Sequence, residues 1–295
     1  MSDLRTLIGS GRLLVVPGAA NALTARVIED CGFESVYVTG AGLANTHLAV
    51  PDIGLLTFSE LVAHVAAIRE AVSVPLIVDA DTGFGNPINV RRTVRDLERA
   101  GADAIQLEDQ TSPKRCGHFS GKSVIPAEEM IAKVRAAVDA RRDDGTLIVA
   151  RTDARAVAGL DEACARANAY REAGADVVFV EAPRSEAEVE AVAANVRGPQ
   201  VINLVYGGVT PMLPEPRLRE LGFAIALHAN LPLLAGLKGV QDALRTLRAG
   251  TTPDEAQLAS WTERQRLVRR PEFGELEARY ATSPPGQAPR QEGAS

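Results

Sequence analysis

Ala104-Ile-Gln-Leu-Glu-Asp-Gln-Thr-Ser-Pro-Lys-Arg-Cys-Gly-His-Phe-Ser-Gly-Lys-Ser-Val-Ile-Pro126 joins a short apolar run to two carboxylates and then to a long polar loop. Residues 104–107 read as a strand, with Glu108 and Asp109 at its carboxyl end. The loop carries Lys114, Arg115, Cys116, Gly117 and His118 before a helical pattern begins at 128. Cationic neighbours favour thiolate, so Cys116 is expected to move a proton near neutral pH, where an isolated cysteine of pKa about 8.5 is mostly thiol. A lone loop cysteine is more often ordinary surface. Here Pro113, Gly117 and Gly121 shape the loop directly behind an acid pair, which argues for a site.

The same unit recurs along the chain. Strand patterns fall at 13–17, 35–39, 75–79, 104–107, 146–150, 177–180, 200–203 and 224–227, with amphipathic helical patterns at 58–72, 90–100, 128–141, 161–173 and 186–196 among the intervening stretches. Gly101, Gly174 and Gly222 stand where left-handed helix ends are expected, and Asp161 and Ser185 where N-caps are. An open doubly wound sheet also alternates strands and helices, but eight regular repeats without a GxGxxG turn favour an α/β fold closed as a (β/α)8 TIM-type barrel.

The barrel is assigned to residues 1–250. Helical patterns at 231–247 and 253–270, the second with Trp261, exceed what a barrel needs and are expected to pack on another subunit. An extension is therefore assigned to 251–282, and a Pro/Gly/Gln tail, expected to be disordered, to 283–295.

With 295 residues and 46% hydrophobic content the chain can bury a large core. A net charge of −6, from 32 basic and 38 acidic residues, gives no basic stripe, and 4% aromatic content offers few stacking platforms, so nucleic acid is an unsuitable partner. Three cysteines at 31, 116 and 164 lack metal-binding spacing, which suits a reducing compartment. No apolar leader or 18-residue apolar run is present, so no membrane association and a cytoplasmic location are expected.

In such barrels catalytic groups gather at the carboxyl ends of strands. Those ends read Thr39-Gly40, Asp79-Ala-Asp81, Glu108-Asp109, Arg151-Thr-Asp153, Glu181, Asn203 and His228. Each has an ordinary explanation: an acid can cap a helix, Arg151 can pair with Asp153, and His228 can be a core histidine. Their shared rim is harder to explain that way. Asp79, Asp81 and Glu108, from adjacent strands, would repel one another unless something positive lay between them. Hard oxygen donors that leave room for substrate suit Mg²⁺, with Mn²⁺ a close second and zinc disfavoured. Arg151 can fork a carboxylate, and the Thr39-Gly-Ala-Gly42 turn can offer backbone N–H groups. A small polyanion is the expected ligand.

These residues resemble the isocitrate lyase and phosphoenolpyruvate mutase superfamily over about 13–250: Tyr37-Val-Thr-Gly40, Pro51-Asp-Ile-Gly54, Val78-Asp-Ala-Asp-Thr-Gly-Phe-Gly85, Glu108-Asp-Gln110, Lys114-Arg-Cys-Gly-His118, Ala150-Arg-Thr-Asp-Ala154, Glu181-Ala182 and Asn203. The resemblance implies Mg²⁺ near Asp79, helped by Asp52, Asp81 and Glu108. It also implies a mobile loop that brings in Cys116, and a homotetramer exchanging C-terminal helices. Catalytic candidates are Cys116, Tyr37, Arg151, His118 and Glu181. Candidates for holding substrate are Thr39, Gly40, Ala41, Asp52, Gly117, Arg151, Asn203 and His228.

Within the superfamily, the Cys-Gly-His loop resembles the 2-methylisocitrate lyase, dimethylmalate lyase and oxaloacetate hydrolase branch. The implied reaction is retro-Claisen cleavage of a substituted malate to a 2-oxo acid and an enediolate, which Cys116 protonates. Tyr37 is the candidate nearest the substrate hydroxyl by resemblance. Phe119-Ser-Gly-Lys122 looks more like the dimethylmalate lyase and oxaloacetate hydrolase group, Tyr206 replaces a usual acid, and His228 resembles an oxaloacetate decarboxylase feature. Oxaloacetate hydrolase or decarboxylase therefore stays open, with phosphonomutase or a non-catalytic relative more distant.

Overall fold

Eight strands alternate with helices in the computed structural model, which describes residues 3–118 and 121–281. They are β1 (Leu14–Ala19), β2 (Val36–Val38), β3 (Leu76–Asp79), β4 (Ala104–Glu108), β5 (Leu147–Thr152), β6 (Val177–Val180), β7 (Gln200–Asn203) and β8 (Ile225–His228). Every neighbouring pair is parallel, and β1 pairs with β8 from Leu14↔Ile225 to Pro17↔His228, so the sheet closes as expected. The expected strand limits lie within two residues of these.

Successive side chains of a strand point to opposite faces, and they sort into two cores. Leu14, Val16, Tyr37, Ile77, Ala104, Val149, Phe179 and Leu227 cluster inside the barrel. Val78, Ile105, Ile148, Val178 and Ala226 instead meet helix residues such as Leu61, Val94 and Val134 in the outer layer. Continuing the inward parity of β3 to β7 leads to Asp79, Glu108, Arg151, Glu181 and Asn203 at the carboxyl mouth. His228 has the parity of Ala226, the outward one.

The helix Leu4–Gly9, which the patterning did not predict, adds Leu4, Leu7 and Ile8 to the inner core beside the strand beginnings. Asp3 caps it by accepting the Thr6 N–H at 2.6 Å. Thr57 and Asn86 form capping boxes on Phe58–Ala71 and Pro87–Arg99. Ser185 caps Glu186–Asn195, as expected. Asp161 does not cap: Leu160–Glu172 starts after Gly159, which puts Asp161 in the first turn, where its charge complements the helix dipole. Gly101, Gly174 and Gly222 adopt φ of 99°, 112° and 81° beyond helix ends.

The chain divides into two compact units, Met1–Lys238 and Gly239–Ser295. In the second, the expected helix over 253–270 is instead a 3-10 turn, Glu255–Gln257, and the short helix Trp261–Leu267, followed by Arg270–Tyr280. The last two helices are separated at Arg269, whose left-handed φ of 59° breaks the run. The tail assigned to 283–295 lies outside the described residues. Among the described residues, no helix is long and apolar enough to cross a membrane.

Candidate active site

The polar rim gathers into two charge clusters. In the first, Lys114 Nζ lies 2.5 Å from Asp52 Oδ1 and 2.8 Å from Asp81 Oδ1, with only 5% of its side chain exposed. The loop behind β4 thus reaches into the mouth and supplies positive charge to the acids. Burial opposes the Lys114 ammonium, yet Asp81, Glu108, Asp79 and Asp52 hold its pKa well above the ordinary lysine range. Burial pushes Asp81 up to about 6 against the pull of Lys114, with Asp79 adding to the rise. Asp81 also occupies the left-handed region at φ 48°, a strained conformation for a non-glycine residue.

Asp79 is held from three directions. Its Oδ1 accepts from Asp81 N–H at 3.2 Å and Gln106 Nε2 at 3.3 Å, and its Oδ2 accepts from Gly40 N–H at 3.4 Å. A Cβ on Gly40 would sit 3.0 Å from Asp79 Oδ2, which explains the glycine there. The Thr39-Gly-Ala-Gly42 segment is the capped start of helix Gly40–His47 rather than a free turn: Gly40 N–H serves Asp79 and Gly42 N–H serves Thr39 Oγ1, with Ala41 between them.

Among the described residues, no three His, Cys, Asp or Glu side chains close around one point as a complete metal cage. Buried Glu108 Oε1 has no hydrogen-bond partner, however, and Asp81 Oδ1 meets the Lys114 ammonium only as an ion pair. That donor set fits Mg²⁺, which takes one or two carboxylates and keeps its waters.

The second cluster centres on buried Arg151. Asp153 accepts from its Nε at 2.9 Å and from NH2 at 3.1 Å, while Glu108 Oε2 lies 3.4 Å from Nε and Glu181 Oε2 3.3 Å from NH1. Its guanidinium carbon also stands 5.3 Å from the Phe179 ring centre. The suspected Arg151–Asp153 pair therefore exists inside the site. His118 Nδ1 accepts the Val209 N–H at 3.2 Å, which leaves the ring proton on Nε2, 3.0 Å from Glu181 Oε1 but off the line of a hydrogen bond. Burial raises Glu181, but Arg151 and His118 outweigh it and hold the carboxyl below its ordinary range. Asn203 Nδ2 donates to Glu181 Oε2 at 3.4 Å.

Cys116 is half-buried, and its N–H donates to Asp52 O at 3.0 Å. The expected thiolate is not favoured: burial pushes the thiol up, the His118 backbone pulls it down, and Asp52 raises it further. Lys114 is spent on the acids. A thiol that keeps its proton suits an acid better than a base. Tyr37 is likewise buried, and burial, then Asp79, pushes its phenol well above the ordinary range, so it keeps its proton and can serve as a hydrogen-bond donor.

His228 stands apart from both clusters, with its ring centre 6.1 Å from that of Tyr206 and Nδ1 unpartnered. Burial lowers its pKa. Thr39 also turns aside, its Oγ1 donating to Asn230 Oδ1 at 3.3 Å.

Several supporting groups escaped sequence reasoning. Asp109 accepts from Thr152 Oγ1 at 2.7 Å, Asp153 N–H at 2.9 Å, Tyr170 OH at 2.8 Å and Arg166 NH1 at 3.3 Å, fixing the end of β5. Lys122 Nζ meets Asp153 Oδ1 at 2.7 Å. Their partners are 31 to 61 residues distant in sequence, so only the strand-end position of Asp109 hinted at a role.

A closed parallel barrel with its buried charges gathered on the carboxyl rim has the layout of the barrel enzymes. Residues 4–248 match the phosphoenolpyruvate phosphomutase family. A 2,3-dimethylmalate lyase of Eubacterium barkeri is 43% identical over 283 residues, covering 95% of this chain and 98% of that protein. A 2-methylisocitrate lyase of Aeropyrum pernix is 48% identical over 252 residues, covering 85% and 81% respectively. A solved 2,3-dimethylmalate lyase, described as a PEP mutase/isocitrate lyase superfamily member, aligns with a TM-score of 0.87 at 32% identity over 99% of this chain and 97% of its own. The chain belongs to the PEP mutase/isocitrate lyase superfamily, as a carbon–carbon lyase within it.

Proposed function

We propose that this protein is a Mg²⁺-dependent lyase that cleaves a substituted malate of the 2-methylisocitrate or dimethylmalate type into a 2-oxo acid and a second carboxylic acid. The observation that carries this reading is Cys116: a half-buried thiol, raised by burial, on a loop that ends against Arg151 and Glu181. Mn²⁺ would serve in place of Mg²⁺.

Charge supports the metal. Among the described residues, Asp52, Asp79, Asp81, Glu108, Asp153 and Glu181 face three fixed cations, Lys114, Lys122 and Arg151. A di- or tricarboxylate entering that mouth needs further positive charge. Bound at Asp79, Asp81 and Glu108, the ion supplies Lewis-acid stabilisation of negative oxygen.

Arg151 orients one substrate carboxylate, using N–H groups not taken by Asp153. His118, with its proton on Nε2, Asn203 and the amides at Gly40, Ala41 and Gly117 complete the grip. Tyr37 donates a hydrogen bond to the substrate hydroxyl region. When the hydroxyl proton leaves to a carboxylate of the mouth, the C2–C3 bond breaks and its electron pair forms the enediolate. Cys116 then delivers its proton to that carbon.

The same chemistry on oxaloacetate is the competing reading. The test incubates the protein and Mg²⁺ separately with 2-methylisocitrate, isocitrate, dimethylmalate and oxaloacetate, and identifies products by NMR. Cleavage of a hydroxy acid, abolished by EDTA and restored by Mg²⁺ or Mn²⁺, is expected. Turnover of oxaloacetate alone would replace this reading with the hydrolase or decarboxylase one, and full turnover under chelation would remove the metal from it.

We also propose a homotetramer, supported by the exposed apolar row Leu234, Leu237, Val240, Leu244 and Leu247 along helix Leu231–Arg248.

A further inference from the structure

Lys122 has no part in the chemistry above, yet it is among the most deeply buried cations of the mouth, with 1% of its side chain exposed. Its ammonium donates to the Gly117 carbonyl and, at 2.7 Å, to Asp153 Oδ1. Gly117 lies between Cys116 and His118. It must lack a side chain, because a Cβ there would collide with Arg151 NH2 and sit 2.6 Å from Glu181 Cγ. Asp153 in turn accepts two hydrogen bonds from the Arg151 fork. One ammonium therefore joins the backbone of the loop to the carboxylate that orients the arginine.

We propose that Lys122 is a positioning residue: it seats the Cys116–Gly117–His118 segment on the mouth and, through Asp153, fixes the plane of Arg151. The base of the loop is held separately. Gln110 bridges Val124, Thr111 N–H donates to Ser123 O at 3.0 Å, and Ile125 N–H donates to Asp109 O at 2.9 Å. Those bonds set where the loop leaves and returns, but not where its middle rests. Near the thiol, the Gln110 side chain bonded to the Arg115 backbone, the bond from Cys116 N–H to Asp52 O and the Val209 N–H bond to His118 set that position, and the Lys122 bond to Gly117 ties the segment to Asp153.

The charge of Lys122 matters beyond reach. Asp153 is held below the ordinary carboxylate range although burial opposes it, because Arg151 and Lys122 both face it. Without the ammonium, Arg151 alone balances Asp153, and the guanidinium is drawn away from Glu181 and substrate. A neutral side chain of similar length keeps the packing of the stem and loses both bonds.

The test uses the full-length protein and reads Cys116 by peptide mass spectrometry, which separates it from Cys31 and Cys164. In Lys122→Met, alkylation of Cys116 by iodoacetamide at fixed pH should accelerate at least ~10-fold through local opening. Removing a nearby cation does not by itself increase the thiolate fraction, so a faster reaction reports opening of the loop, through access and through the loss of burial that goes with it. Lys122→Arg should restore most of the protection, and kcat should fall roughly 10- to 100-fold in Lys122→Met but less in Lys122→Arg. Equal alkylation rates in wild type and Lys122→Met would overturn the proposal. Should Lys122→Met fail to melt cooperatively, Lys122→Gln is compared with Lys122→Arg: better protection by arginine supports the tether, and equal rates sink it. The kinetic arm rests on the lyase reading, whereas alkylation needs no substrate and stands if that reading fails.

Discussion

Burial sets the protonation of Cys116 before any charge acts on it, and this is where sequence reasoning went astray. The cations on either side of the thiol were legible in Lys114-Arg-Cys-Gly-His118. Their direction was not, because Asp52, to which Lys114 turns, lies 62 residues upstream. A thiol raised above its ordinary range is protonated at pH 7, and its reactivity should climb only as pH rises past the usual cysteine value of about 8.5. Alkylation of Cys116 followed from pH 6 to 10 should show its inflection above that value, and an inflection below 8 would mean a thiolate at neutral pH. With Cys116 in the proposed role of proton donor, Cys116→Ser should lose at least ~10²-fold in kcat while substrate binding changes little, since a hydroxyl is a far weaker acid. Undiminished turnover on every accepted substrate would remove the thiol from the mechanism. His228 failed to join the site for a reason the sequence did contain: it follows Leu227, whose inward parity sends the next side chain outward.

At the scale of elements, strands were read well because most repeat an apolar core with a polar end, and several helices between them stop at a glycine, as at Gly101, Gly174 and Gly222. The C-terminal helices were read poorly because their run is broken at Arg269, whose left-handed backbone stands just before Pro271 in the first turn of the next helix, and between Gln257 and Trp261. Side-chain networks between elements were not legible at all. Asp109, Thr152, Arg166 and Tyr170 meet only after β4, β5 and the helix Leu160–Glu172 have packed. One inter-element contact gives a sharp test. The segment after β7 reaches His118 through Val209, and a Cβ on Gly208 would stand 2.7 Å from His118 Nδ1. Gly208→Ala should therefore displace the imidazole and lower kcat/KM by roughly 10- to 100-fold, the cost of a misplaced group near the chemistry. The melting temperature should change little, because the segment is largely exposed. Unchanged kcat/KM would show that His118 holds no substrate group.

For the whole molecule, the apolar row on Leu231–Arg248 and the exposed Trp261, 70% accessible, support assembly through the C-terminal helices. Deleting residues 251–295 should weaken the oligomer in light scattering, and deleting only 283–295 should not. An unchanged mass for the shorter chain would refute that role. The closure of β1 onto β8 also has a temporal meaning. The inner face and one edge of Leu14–Ala19 stay unsatisfied until Ile225–His228 has been synthesised, so during translation most of the chain waits on its latest strand. A ribosome that stalls before residue 228 would present an open, sticky half-cylinder to the cell. The moment of greatest need for a chaperone is therefore written into the pairing of the first strand with the last.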